Sequence, residues 1–341
     1  MTVDVSSLGR IEFGGPDLPP RRLRDLLQAQ VDASPAGSRI DWATYYFRDR
    51  ALAEALIRAS DRGVNVTLVL EPNPRRKRAN DPVIAMLKAH GLGGGLHLYR
   101  PSPFNRGHMH AKIYAFSEPD IAWVGSFNPS GDEPEDLEVI AEIGDQDRGH
   151  NLLLGIERPT LTSALRDHVG KLAEWRPWVF KFRPHFNRVI RDLGCRLYFF
   201  PRLRPCKAEK EISDMGSGDQ FRGVISHLKK GQLTRRLQRA VQRGVTVELL
   251  VHDTERRVPA ELVEKLRSSG VRITRVIHPE GLPMHAKFLL ISRDGKLAAW
   301  LGSHNFNAKS QTRNAEVLLR TTNASVTAAL SRRYEEIAAM T

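Results

Sequence analysis

The sequence has little of several things, and each shortage narrows what the chain is. Only 2 cysteines, Cys195 and Cys206, occur in 341 residues. No disulfide framework is implied, and two reduced thiols are expected. No apolar run approaches the roughly 18 residues that a membrane span requires. The opening stretch, MTVDVSSLGRIEFGG, lacks the basic start and apolar core of a secretory signal. A cytoplasmic protein is therefore expected, at most peripheral at a membrane. Acidic residues are also short: 39 Asp and Glu against 52 Lys and Arg leave a formal net charge of +13. Such an excess attracts polyanions, nucleic acid or an anionic lipid surface, without choosing between them.

What is present fits an ordinary globular protein, with 41% hydrophobic and 27% charged residues. The length is comfortable for two domains. Hydrophobic periodicity predicts helices over 21–32, 50–62, 81–90 and 159–178, and strands over 39–47, 64–70, 96–99 and 136–143. The second half predicts helices over 233–242, 259–268 and 325–340, and strands over 195–200, 245–251, 271–277 and 314–320. Residues 1–20 and the basic stretch 179–220 read as largely irregular. Alternating strands and helices favour α/β layers around a mixed sheet. The run Arg75-Arg76-Lys77-Arg78 reads either as a solvated loop or as a phosphate-capturing rim after a buried strand.

The halves repeat each other. ALAEALIRASDRGVNVTLVL, ending at Leu70, matches QLTRRLQRAVQRGVTVELLV, ending at Val251. The correspondence carries chemistry. MHAKIYAFSEPDIAWVGSFN, from Met109, is answered by MHAKFLLISRDGKLAAWLGSHNFN, from Met284. His110 and Lys112 are two residues apart, so on a strand both leave the same face; His285 and Lys287 do likewise. A turn then returns Gly125-Ser126 with Asn128, and Gly302-Ser303 with Asn305. A glutamate follows each, Glu138 and Glu316. One His-x-Lys is common in any protein, but a linked set occurring twice in register is not.

Two such sets meeting at a pseudo-twofold interface would form one site with two imidazoles, two ammonium groups and two amide-bearing turns. That is a kit for a phosphodiester. One imidazole attacks phosphorus to give a phosphohistidine, and the other protonates the leaving alcohol and later activates water or an acceptor. Lys112, Lys287, Asn128 and Asn305 supply hydrogen bonds to the non-bridging oxygens, with Ser126 and Ser303 in support. Glu138 and Glu316 are the candidates to hold the far nitrogen of each ring. With lysines neutralising charge, no metal or other cofactor is expected.

The doubled His-x-Lys, Gly-Ser-x-Asn and Glu pattern resembles the phospholipase D superfamily, also called the HKD family, over most of the chain from about Arg39 onward. The resemblance implies two α/β/α sandwich repeats with mixed sheets, related by a pseudo-twofold, with one active site at their interface. It implies a metal-independent mechanism, with His110 as nucleophile and His285 as acid. The chain departs from the family pattern where an Asp is usual, having Ser117 and Ser292 instead. The expected division is a first repeat over 1–155, a connecting helix and linker over 156–190, and a second repeat over 191–341. Because both motifs lie in one chain, a monomer is expected. A phospholipid at an anionic membrane surface is the favoured partner, since two-motif relatives are mostly lipid enzymes. Nucleic acid is the alternative substrate, and an inactive phosphate-binding module is a third reading.

Overall fold

The computed structural model describes residues 8–101, 107–130, 148–174, 186–204 and 207–341. The first repeat forms a sheet of seven strands: β1 (Gly9–Gly14), β2 (Arg39–Thr44), β3 (Asn65–Leu70), β4 (Leu96–Leu98), β5 (Ile113–Phe116), β6 (Ile121–Gly125) and β7 (Asn151–Ile156). Their spatial order is β1-β7-β6-β5-β2-β3-β4. The second sheet holds β8 (Ile190–Asp192), β9 (Cys195–Phe200), β10 (Gln220–Ile225), β11 (Thr246–His252), β12 (Arg272–Val276), β13 (Lys287–Arg293), β14 (Lys296–Gly302) and β15 (Glu316–Thr321). Its order, β8-β9-β15-β14-β13-β10-β11-β12, repeats the first with one added edge strand. In each sheet three strands run parallel (β2, β3, β4 and β10, β11, β12) and the remainder pair antiparallel. Both sheets are therefore mixed, as expected.

Strand alternation sorts side chains into layers. On β2 and β5, Ile40, Trp42, Tyr114 and Phe116 enter an outer core against α1 (Arg22–Ala33), α2 (Arg50–Asp61) and α3 (Asp81–His90). Ala43, Ile113 and Ala115 enter a central core instead. The second sheet does the same. Leu289 and Ile291 face the outer helices α5 (Lys207–Ser213), α6 (Gln232–Gln242) and α7 (Ala260–Arg267), while Phe288 and Leu290 turn to the centre. Two further helices lie in that centre, α4 (Pro159–Ala173) and α9 (Ala324–Ala339); the short α8 (Ala308–Thr312) follows the second Gly-Ser turn. Leu161, Leu165, Val169 and Leu172 of α4 enter the shared core at the spacing the sequence predicts. One continuous apolar cluster thus draws on both repeats, so the sheets face one another across it.

Several elements differ from expectation. The helix from Pro159 ends at Ala173 rather than 178. The strand predicted over 136–143 lies outside the described residues, and the strand that pairs with β6 is β7, at Asn151–Ile156. Strands β1, β8 and β10 and helix α5 arise in stretches read as irregular or left unassigned. Among the described residues, no helix is long and apolar enough to cross a membrane. Cys195 is a buried free thiol.

Candidate active site at the repeat interface

Each motif is placed by a β-hairpin: His110 and Lys112 lead directly into β5, His285 leads into β13 at Lys287, and each hairpin ends in a Gly-Ser turn. The glycine of each turn is dictated by close approach. A Cβ on Gly125 would lie 2.1 Å from the Leu152 carbonyl oxygen, and one on Gly302 would lie 2.3 Å from that of Val317. Gly302 also adopts φ +151, a region other residues rarely occupy. The following serines do not face substrate. Ser126 Oγ donates to Asn151 Oδ1 at 3.1 Å and accepts Leu152 N–H at 3.1 Å. Ser303 Oγ donates to Glu316 Oε2 at 2.6 Å and accepts Val317 N–H at 3.0 Å. Each serine steadies the first side chain of the next strand.

Those two side chains reach across the interface. His110 Nδ1 lies 2.8 Å from Glu316 Oε2, and His285 Nδ1 lies 3.0 Å from Asn151 Oδ1. The backbone crosses at the same places: His110 N–H donates to the Ala315 carbonyl at 2.8 Å, and His285 N–H to that of His150 at 3.1 Å. Asn151 donates its amide N–H to the Gly149 carbonyl at 2.6 Å, which fixes Oδ1 as the acceptor toward the ring. Both imidazoles therefore carry their proton on Nδ1, leaving the Nε2 lone pair for the cavity they line. The ring contact assigned to Glu138 by sequence is made by Asn151; Glu138 itself lies outside the described residues. A constant offset between repeats pointed to 138. The first repeat, however, has 22 residues between Asn128 and Asn151, and the second has 10 between Asn305 and Glu316.

The charges are deeply buried. Lys112 and Lys287 have 0% exposure, and each ammonium donates to the carbonyl of its own motif histidine. Lys112 also sits 5.3 Å from the centre of the Tyr45 ring. Burial lowers the Lys112 pKa to about 7 despite the Glu316 charge. Burial, then the Lys112 and Arg257 charges, holds Lys287 well below the ordinary ammonium value. Burial lowers His110 to about 4, with Glu316 opposing, and holds His285 well below the ordinary imidazole value, reinforced by both lysines. Burial works against the charge of Glu316, but His110, His304 and Lys112 overcome it and bring the carboxyl down to about 2. Three donors converge on this carboxylate: His110, Ser303 and Asn314, whose Nδ2 reaches Oε1 at 3.1 Å.

The two rings line a cavity of 240 Å³. Its wall includes Asn305, whose buried Oδ1 has no hydrogen-bond partner among the described residues. Asn128 is turned away, its Oδ1 accepting Tyr46 N–H at 3.2 Å. Sequence reading missed much of the wall: Tyr45, Tyr46, His227, Arg256, Arg257 and Lys309. One signal was available, since Arg256-Arg257 stand as far beyond Gly244 as Arg75-Arg76 stand beyond Gly63. The tyrosine hydroxyls hold the first of these loops, accepting the backbone N–H of Arg75 at 2.6 Å and Arg76 at 3.1 Å. His108 also lines the cavity. His304 is buried between Phe200 and Phe306 and accepts Phe306 N–H. Ser117 lies just past the far end of β5, where its Oγ accepts Arg39 N–H at 2.8 Å, and Ser292 lies far along β13, paired with Gln220. Five residues of strand span roughly 16 Å, so the missing aspartates are remote from the chemistry. Among the described residues, no group of three or more His, Cys, Asp or Glu is arranged to hold a metal ion.

The family model described as "Cardiolipin synthase, PLD-like domain" matches residues 31–147 and 214–338. The chain belongs to this phospholipase D-like family, within a superfamily of phosphodiester-cleaving and phosphotransferase enzymes. It is similar in fold to phosphatidylserine synthase of Haemophilus influenzae, at 13% identity and TM-score 0.67, over 98% of this chain and 88% of that one. It is also similar to polyphosphate kinase of Porphyromonas gingivalis, at 15% identity and TM-score 0.64, over 96% of this chain. The chain spans 46% of the length of that kinase. No curated protein matches it by sequence.

Proposed function

We propose that this protein cleaves or transfers a phosphodiester through a covalent phosphohistidine. The observation that carries the reading is the pair of imidazoles, each held at Nδ1 by the opposite repeat and each offering Nε2 to one cavity. His110 is the nucleophile. Its carboxylate partner Glu316 stabilises positive charge on the ring as the Nε2–P bond forms and the P–O bond to the leaving alcohol breaks. His285, whose partner is a neutral amide, donates its Nε2 proton to the leaving oxygen. In the second step it takes a proton from water or an acceptor alcohol. The substrate's negative charge favours the protonated ring that burial and the lysines otherwise oppose. Lys112 and Lys287 offset charge on the non-bridging oxygens, and Asn305 adds its amide N–H.

The favoured substrate is a phospholipid at an anionic membrane surface. The family description, the net charge of +13 and the presence of both motifs in one chain support it. A second reading, a nuclease or nucleic-acid-end diesterase, is favoured by the cavity wall, which among the described residues carries arginines, Lys309 and two tyrosines but no aliphatic side chain. Phosphatidylcholine vesicles, phosphatidylglycerol vesicles and a single-stranded oligonucleotide, offered in parallel, separate the two. Headgroup release without strand cleavage supports the lipid enzyme, and the reverse replaces it with the nuclease. If no phosphodiester is turned over, the chain is the inactive phosphate-binding module.

A further inference from the structure

Besides His108, a further imidazole outside both motifs lines the cavity. His227 follows β10, where the first repeat has Tyr46, and it lines the same wall as His110 and His285. Its neighbour Ser226 has 0% exposure. Ser226 Oγ lies 3.1 Å from His227 Nδ1 and receives Arg257 Nη1 at 3.4 Å. A guanidinium only donates, so Arg257 occupies a lone pair of that oxygen. The buried hydroxyl must still place its own proton. Among the described residues, the acceptor within reach is His227 Nδ1. That nitrogen is therefore bare, and the ring proton resides on Nε2. This is the opposite tautomer to His110 and His285, which donate from Nδ1 to Glu316 and Asn151.

The consequence is a division of labour between His227 and the two motif rings, His110 and His285. An imidazole with a bare Nε2 facing the cavity would be a competing nucleophile. One with Nε2–H is a neutral donor that cannot attack through that atom. His227 is partly exposed, and its Nε2 has no hydrogen bond to the described residues. Burial, followed by the Arg257 and Lys287 charges, keeps the ring well below the ordinary imidazole pKa, so it stays neutral. Resting on the phosphoryl-transfer reading, we propose that His227 is a substrate-contacting residue whose Nε2–H donates to a non-bridging oxygen of the phosphate bound between His110 and His285. Ser226, through the proton it gives Nδ1, is its positioning residue.

The test uses the full chain with bis(p-nitrophenyl) phosphate, a small diester that engages only the reaction centre. His227→Ala should lower kcat by about 10²-fold, the usual effect of losing one oxyanion donor. His227→Gln returns an N–H near the same position and should recover to within about tenfold of wild type. Phosphoenzyme should still form on His110 in both, with Tm close to wild type. Nitrogen-15 NMR should show the Nε2–H tautomer at His227, shifting toward Nδ1–H in Ser226→Ala. A wild-type Nδ1–H tautomer would overturn the proposal. So would wild-type rates in His227→Ala, or a His227→Gln variant as inactive as His227→Ala despite an unchanged Tm. Failure of the wild-type chain to turn over any diester removes the phosphoryl-transfer reading itself; turnover indifferent to position 227 removes only this proposal.

Discussion

Glu316 and Asn151 hold the same place in the two repeats, each the first residue of a strand and each bonded to a Gly-Ser turn and to the other repeat's histidine. One is a carboxylate and the other an amide. The backbone is close to symmetric, while the chemistry is not. That single difference gives the two imidazoles different partners.

His110→Ala should abolish both turnover and the phosphoenzyme trapped by quenching in alkaline detergent. His285→Ala should cost about 10²–10⁴-fold with an alkoxide leaving group, the usual worth of a general acid. With p-nitrophenolate, which leaves without a proton, the His285 variant should still form phosphoenzyme. Trapping on position 285 in the wild type would reverse the two assignments.

Replacing Glu316 by Gln brings an amide N–H toward either His110 and Ser303 or Asn314, all of which donate. Asn314 cannot simply flip, because its Oδ1 accepts His108 N–H at 3.1 Å. A buried donor left unmatched costs about 1–3 kcal/mol, so Tm should fall together with activity. Asn151→Asp has the opposite electrostatic effect. A carboxylate beside His285 favours its protonated ring, so the alkaline limb of kcat for alkyl diesters should move to higher pH. An unmoved limb would count against His285 as the acid.

For a diester with a good leaving group, kcat/KM should be bell-shaped. His110 must be neutral to attack, which sets an acid limb near 4; Lys112 must be charged to bind, which sets an alkaline limb near 7. A rate that is flat to pH 9 would contradict the role given to Lys112.

Acid stability should reflect buried neutral histidines. His304 has a folded pKa of about 4, lowered by burial from 6.5. Between those values the unfolded chain binds the proton and the folded chain does not, so stability is lost as pH falls from about 6.5 toward 4. At about 1.4 kcal/mol per pKa unit the loss is on the order of 3 kcal/mol. His304→Asn should flatten that slope in denaturant titrations from pH 7 to 4.

Much of this was legible in the sequence because it is written twice. The α/β alternation, the central face of α4, and the paired His, Lys and Ser positions all follow from periodicity and internal repetition. What was lost lay where the repeats differ in length. Glu138 was inferred by carrying a constant offset through a stretch of sequence that is 12 residues longer in the first copy. The Asn151 strand, NLLLGI, has no alternation to mark it, because it is buried on both faces. His227 was invisible for another reason: its role arises from a hydroxyl shared with Arg257, and no spacing rule encodes that contact.

Because each imidazole takes its anchor from the opposite repeat, catalytic competence is a property of the seam between the repeats. A partial opening there would separate His110 from Glu316 and His285 from Asn151 before disturbing either outer core. Both rings would then lose their set tautomers at once. A loosened molecule would be silent rather than indiscriminate, so hydrolysis by damaged or half-folded copies should be negligible even while their sheets persist.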